Sequence, residues 1–237
     1  ISAHIKRMRL KTKFIRNFLS KEQYKSGKLY AIFIVFLCVF ASHLYWNSGL
    51  KDLLAASTTA IFQNHEYWRL ITSTFIHGDL EHLLSNSLML FILSYFVAAF
   101  YGARLCFFLS LISGVLINFS VLGIKGGEMS LVGASGVVYF LWGFWLSLYL
   151  KLQTQYNLKG RLLRVGAITL ILLVPTSYAP NVSYMAHFLG LVYGLFLGEV
   201  YFQLNKKHLT SFEDWEVKIN LEELVPDENH NDFSRVE

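Results

Sequence analysis

A chain of 237 residues that is 54% hydrophobic and only 16% charged, with a mean hydropathy of +0.42, is too apolar for a soluble domain, where about a quarter of residues carry charge. Spans of about 20 apolar residues recur along it, so it reads as one polytopic all-α domain embedded in a lipid bilayer. The net charge of +5 does not point to nucleic acid, because the basic residues gather beside apolar spans, where positive charge sets orientation.

Residues 1–28 are polar and basic, with Lys6, Arg7, Arg9, Lys11, Lys13, Arg16, Lys21, Lys25 and Lys28 against Glu22 alone. Ile1 in place of Met leaves room for residues ahead of the chain. The apolar stretch at 29–46 lacks a small-x-small cleavage pattern, so it reads as a retained first span, with Tyr45 and Trp46 as interfacial anchors. Residues 47–81 mix Leu50, Leu53, Leu54, Ile61, Phe62, Trp68 and Leu70 with polar residues. That pattern suits short amphipathic helices in the outer interface, and a connection this long is usually functional.

Five further spans are expected at 82–100, 104–123, 135–150, 162–178 and 184–204, the fifth of the six broken by Pro175. Six spans put Arg104, the basic cluster from Lys151 to Arg164, and Lys206 and Lys207 on the side of the N-terminus, which makes both termini cytoplasmic. The domain plan is therefore a basic segment at 1–28, a membrane domain at 29–204, and an acidic tail at 205–237, solvated and carrying at most one short helix. Cys38 and Cys106 fall inside apolar spans as small fillers, with no disulfide framework or zinc spacing.

Two stretches carry chemistry. Gly133-Ala134-Ser135-Gly136 stands at the head of the fourth span, and Ala186-His187-Phe188-Leu189-Gly190 at the head of the sixth, at similar shallow depth. An ionisable group in a bilayer is costly, so His187 is a functional candidate. A serine hydroxyl is a weak nucleophile until a base takes its proton, and a neutral imidazole can do so near pH 7. The glycines beside Ser135 let backbone approach a substrate, and the amides of the helix start favour developing negative charge. Tyr139 lies one turn after Ser135, on the same face, where its ring could hold the His187 imidazole. Gly190, Gly194 and Gly198 give the sixth span a smooth face, for which the fourth span is the natural partner. His82 and Asn86 share a face at the start of the second span and could both donate to an oxyanion, while His77 precedes them in the loop.

Together these residues resemble the rhomboid family of intramembrane serine proteases. The matching set is Gly133-Ala134-Ser135-Gly136 with Tyr139, Ala186-His187-x-x-Gly190-x-x-x-Gly194, His82-x-x-x-Asn86, His77, and Glu66-Tyr67-Trp68-Arg69, in the family's order and over about residues 29–204. The resemblance implies a six-helix bundle with a long interfacial first loop and a Ser135–His187 dyad acting on membrane-protein spans that contain helix-breaking residues. His82, Asn86 and the Ser135 amide would form the oxyanion hole. Trp68 and Arg69 would anchor the first loop, and the fifth span with the loop from Pro175 to Ser183 would act as a gate. No cofactor and no metal are implied. A compact six-span plan suggests a bacterial inner membrane. Where many relatives carry a glycine-rich stretch and a glutamate at the cytoplasmic end of the second span, this chain reads Val97-Ala98-Ala99-Phe100.

Each residue also has a plainer reading. Ser135 alone could be a helix-packing residue, Asn86 interhelical glue like Asn118, His82 an interface histidine, and His77 a structural hydrogen-bonder in its loop. Glu199 is read as snorkelling or pairing with Arg104. Two other function classes are a metal enzyme or transporter using His77, His82 and His187, which lacks an HExxH spacing, and a non-catalytic binder that escorts membrane helices.

Overall fold

The computed structural model describes residues 7–172 and 183–222. Its helices are α1 (Ser26–Asn47), α2 (Lys51–Leu54), α3 (Thr58–Phe62), α4 (Arg69–Phe75), α5 (Leu80–Tyr101), α6 (Ala103–Lys125), α7 (Ser135–Leu152), α8 (Leu158–Leu172) and α9 (Tyr184–Thr210). Among the described residues, α1, α5, α6, α7 and α9 are long and apolar enough to cross a membrane. The span expected at 162–178 begins as α8, and its residues 173–178, with the rest of the expected gate up to residue 182, lie outside the described residues. The connection between α1 and α5 is built from α2, α3 and α4.

Helix boundaries follow local chemistry. Asp79 caps α5 by accepting a hydrogen bond from the His82 amide at 2.7 Å, and Glu81 adds negative charge in the first turn. Gly102, at φ 100, ends α5 and lets the chain turn straight into α6. Burial then decides which face looks where. On α1, Tyr30, Ile34, Cys38 and Ser42 form a buried stripe one turn apart, while Leu29, Phe33, Phe36 and Phe40 are exposed. That apolar exposure is the side presented to lipid. By contrast, α7 buries Val137, Val138, Phe140, Leu141, Phe144 and Leu148, as a helix surrounded by others must.

The departure at Val97–Phe100, at the end of α5, has a packing solution. Val97, Ala98 and Ala99 are fully buried. A Cβ on Gly27 would sit 2.8 Å from the Ala99 Cα, so α1 and α5 touch backbone to backbone there. Glu199 pairs with Lys151 (3.1 Å) and not with Arg104, because one face of α9 lies along the end of α7.

The fold is not purely helical. Strand β1 (Arg7–Arg16) pairs antiparallel with β4 (Asp214–Glu222), and β2 (Ala56–Ser57) with β3 (Ser130–Leu131). In the tail, expected to be solvated with at most one short helix, residues Asp214–Glu222 form β4 instead. Apolar residues alternate along Trp215-Glu216-Val217-Lys218-Ile219, a period of two that suits a strand. A lone two-stranded ladder is marginal in water. This one is anchored at its root, where Phe18 is buried against the rings of Tyr101 and Phe212 and the Asn17 amide donates to the Leu152 carbonyl at 2.8 Å.

Candidate active site

Ser135 is the first residue of α7. Among the described residues no side chain caps that helix, which leaves its first amides without a side-chain acceptor. Ser135 lines a cavity of about 440 Å³ together with His82, Val132, Gly133, Ser183 and Ala186. The cavity therefore joins the starts of α5, α7 and α9. On α9, Ser183 caps the helix by accepting from the Ala186 amide at 3.3 Å.

His187 sits in the first turn of α9 and is 6% exposed. Its ring stacks on that of Tyr139, with centroids 4.1 Å apart and planes 13° from parallel. Tyr139 is one turn beyond Ser135, so the stack sets the imidazole beside the start of α7. Among the described residues no hydrogen bond joins Ser135 to His187, and the His187 Nε2 is buried without a partner.

Glycines permit that approach. A Cβ on Gly190 would collide with the Gly136 carbonyl, and one on Gly194 with the Phe140 carbonyl. On the opposing helix, a Cβ on Gly143 would lie 2.5 Å from the Leu191 carbonyl oxygen. The two backbones thus meet along several turns, with Ser135 and His187 at the same end of the seam.

Gly133 has φ 114, and a Cβ there would fall 2.7 Å from Cε1 and 2.9 Å from Nε2 of His82. Only glycine lets the His82 ring lie across the chain just before Ser135. Asn86, one turn below, is 8% exposed and donates one amide hydrogen to the His82 carbonyl at 2.9 Å. It does not line the cavity.

His77 works from behind. It is 1% exposed and packs edge-on to His82, ring centroids 5.1 Å apart. Burial, reinforced by the His82 charge, pushes its pKa down to about 3, so the ring is neutral. Its Nε2 accepts from the Ala134 amide at 3.4 Å, which leaves the ring proton on Nδ1, 3.2 Å from the Ser42 Oγ. The Trp46 indole donates to the His77 carbonyl at 2.8 Å. Ser73 O accepts from the Gly133 amide at 2.8 Å, and the β2–β3 pairing fixes the chain just upstream. The approach to Ser135 is thereby held from α1, α4 and the α1–α5 connection.

Trp68 and Arg69 lie away from the cavity. Arg69 is 9% exposed, donates to the Ala55 carbonyl at 3.2 Å, and makes a 2.5 Å charge contact with Glu66 that is not aligned as a hydrogen bond. Trp68 is half exposed, its indole donating to the Leu53 carbonyl at 3.4 Å. Both brace α2 against α4.

The sequence offered no signal for Ser42 or Trp46 as partners of His77, nor for Asp79 and Lys125 as cavity walls. Asn118 also lines the cavity, and its amide donates to the Leu70 carbonyl (3.1 Å) and to the hydroxyls of Ser73 (3.0 Å) and Thr74 (3.3 Å). Among the described residues no three His, Cys, Asp or Glu side chains converge closely enough to hold a metal.

The Rhomboid domain family model matches residues 64–204, a stretch that contains every residue of this cavity. The chain belongs to the rhomboid family. A rhomboid domain with these apolar helices is an integral membrane protein. The chain is 32% identical to RHOMBOID-like protein 5 of Arabidopsis thaliana over 148 residues, which is 62% of this chain and 48% of that protein. It is 28% identical to YdcA of Bacillus subtilis over 137 residues, 56% of this chain and 67% of YdcA. It is also 32% identical to Inactive RHOMBOID-like protein 8 of Arabidopsis thaliana over 115 residues, 47% of this chain and 32% of that protein. The chain spans half or less of the length of these plant relatives.

Proposed function

We propose that this rhomboid is a serine endopeptidase that hydrolyses peptide bonds in or near transmembrane segments of other membrane proteins. The observation that carries the reading is the stack of His187 on Tyr139, one turn beyond a serine that opens into a cavity at a helix start.

In the reaction, Ser135 Oγ attacks the substrate carbonyl carbon while His187 Nε2 takes the hydroxyl proton. The carbonyl oxygen becomes an oxyanion, stabilised by the Ser135 amide and by His82, with the second amide hydrogen of Asn86 in reserve. His187 then returns its proton to the leaving amine, and the C–N bond breaks to leave an acyl-enzyme. Water, activated by the same imidazole, releases the acid and restores Ser135. Tyr139 fixes the ring plane of His187, and Gly133 makes room for His82. Gly190 and Gly194 hold the two helices in reach, while His77, Trp68 and Arg69 brace the surrounding backbone.

The distribution of basic residues supports cytoplasmic termini, with 1–28 and 205–237 flanking the membrane domain, and the family resemblance alone suggests a bacterial inner membrane. The test is cleavage of a reporter transmembrane segment by purified protein in liposomes, with labelling by a fluorophosphonate probe. Ser135→Ala and His187→Ala should each abolish cleavage, and Ser135→Ala should abolish labelling, while both proteins still insert. An unlabelled, well-folded parent that binds the reporter without cutting it would instead indicate a helix-binding protein.

A further inference from the structure

The β1–β4 ladder has no part in the proposed chemistry, yet its pattern is specific. Register pairs Phe14 with Trp215, Thr12 with Val217, Leu10 with Ile219 and Met8 with Leu221. Between them lie the pairs Lys13 with Glu216, Lys11 with Lys218, Arg9 with Asn220 and Arg7 with Glu222. With a side-chain period of two, the ladder therefore has one apolar face and one charged face. The apolar face is open: Trp215 is 38% exposed and Val217 57%. Phe14 and Trp215 meet edge to face there, centroids 5.3 Å apart.

Three observations say what covers it. The first is reach. Only residues 211–213 separate the end of α9 from β4, a gap of at most about 14 Å, and the other strand is pinned to the bundle at Asn17 and Phe18. The ladder thus stands where a membrane-crossing helix leaves the bilayer. The second is charge. The two strands carry Arg7, Arg9, Lys11, Lys13, Arg16 and Lys218 against Asp214, Glu216 and Glu222, and Lys11 stands directly across from Lys218. The balance over the two strands is thus positive, which suits an anionic surface. The third is composition: an exposed Trp beside aliphatic residues at the end of a membrane helix is the usual pattern of an interfacial anchor.

We propose that the ladder is a membrane-surface arm that seats its apolar face in the headgroup region of an anionic leaflet. The basic residues of β1, an edge strand, supply the positive charge that an anionic leaflet attracts. A second copy of the chain fits less well, since it would set one net-positive ladder against another.

The experiment uses the full chain with Val217→Cys, labelled with an environment-sensitive fluorophore; the native Cys38 and Cys106 are 1% and 0% exposed and do not compete. The protein is placed one copy per nanodisc, with or without phosphatidylglycerol. In anionic discs the emission should shift to the blue, acrylamide quenching should fall severalfold, and doxyl-labelled lipid should quench the label. High salt on the same protein, and Arg9→Gln/Lys11→Gln/Lys13→Gln in the labelled background, should each reverse all three effects. A label equally open to acrylamide in both lipids would overturn the proposal. So would protection that appears only when two copies share a disc, or that survives high salt without quenching by doxyl lipid.

Discussion

The imidazole of His187 lies flat on the phenol ring of Tyr139, 4.1 Å between centroids, although the two residues sit on different helices and 48 positions apart in the chain. An aromatic stack of this kind contributes about 0.5–1.5 kcal/mol beyond burial, enough to bias a ring that could otherwise rotate. Tyr139→Ala should lower kcat roughly tenfold with little change in KM, since the loss falls on orientation of the base. Tyr139→Phe keeps the ring and should stay closer to the parent. Steady-state cleavage of the reporter in liposomes measures both.

His77 supplies a dependence on pH. Its folded pKa of about 3 lies below the ordinary value of 6.5, so the buried ring is neutral throughout. Above pH 6.5 the unfolded chain is neutral there too, and the contribution is constant. As pH falls from 6.5 towards 3, the unfolded ring takes up a proton that the folded one refuses, and stability drops by about 1.4 kcal/mol per unit. Thermal unfolding followed by intrinsic fluorescence should show that slope in the parent and a shallower one in His77→Gln.

Ser42 should report on the same network from another helix. Ser42→Ala removes one hydrogen bond at the His77 Nδ1, a loss of about 0.5–1.5 kcal/mol, and Ser42→Thr should recover much of it. Chemical or thermal denaturation in detergent distinguishes the two.

The glycines divide into two kinds. Gly194→Ala drives a methyl into the Phe140 carbonyl and should cost several kcal/mol and most activity, because backbone cannot yield as a side chain can. Gly166, in the middle of α8, has nothing within 4 Å of an added Cβ. Gly166→Ala should raise thermal stability by roughly 0.5–1 kcal/mol through helix propensity. Comparing the melting points of the two variants checks the contrast.

Much of the helical plan was legible because long apolar runs and caps are local signals. Ser135 and Tyr184 were expected to begin spans and do begin α7 and α9. The ends were less legible: α9 continues past Lys206 and Lys207 to Thr210, since basic residues are at home in a last turn and do not stop it. The ladder was missed because charge dominates residues 7–16 and hides the alternation of Met8, Leu10 and Phe14, and its partner strand lies about 200 residues away. Long-range pairing also explains why the Ser42–His77 contact left no mark in the sequence, and why Glu199 took Lys151 instead of Arg104. At the cavity, the residue types and their spacing pointed to Ser135 and His82, which line it, while His187 stacks on Tyr139 and is not part of the lining. What spacing could not convey is that Asn86 turns one hydrogen back to its own helix and that Lys125 stands at the wall.

The seam between α7 and α9 constrains traffic as well as packing. Where carbonyls of one helix touch glycine Cα atoms of the other, neither an acyl chain nor a guest peptide can wedge between them. Under the proposed function, a client arriving sideways through the lipid finds that wall shut, and must come to Ser135 from another quarter of the bundle.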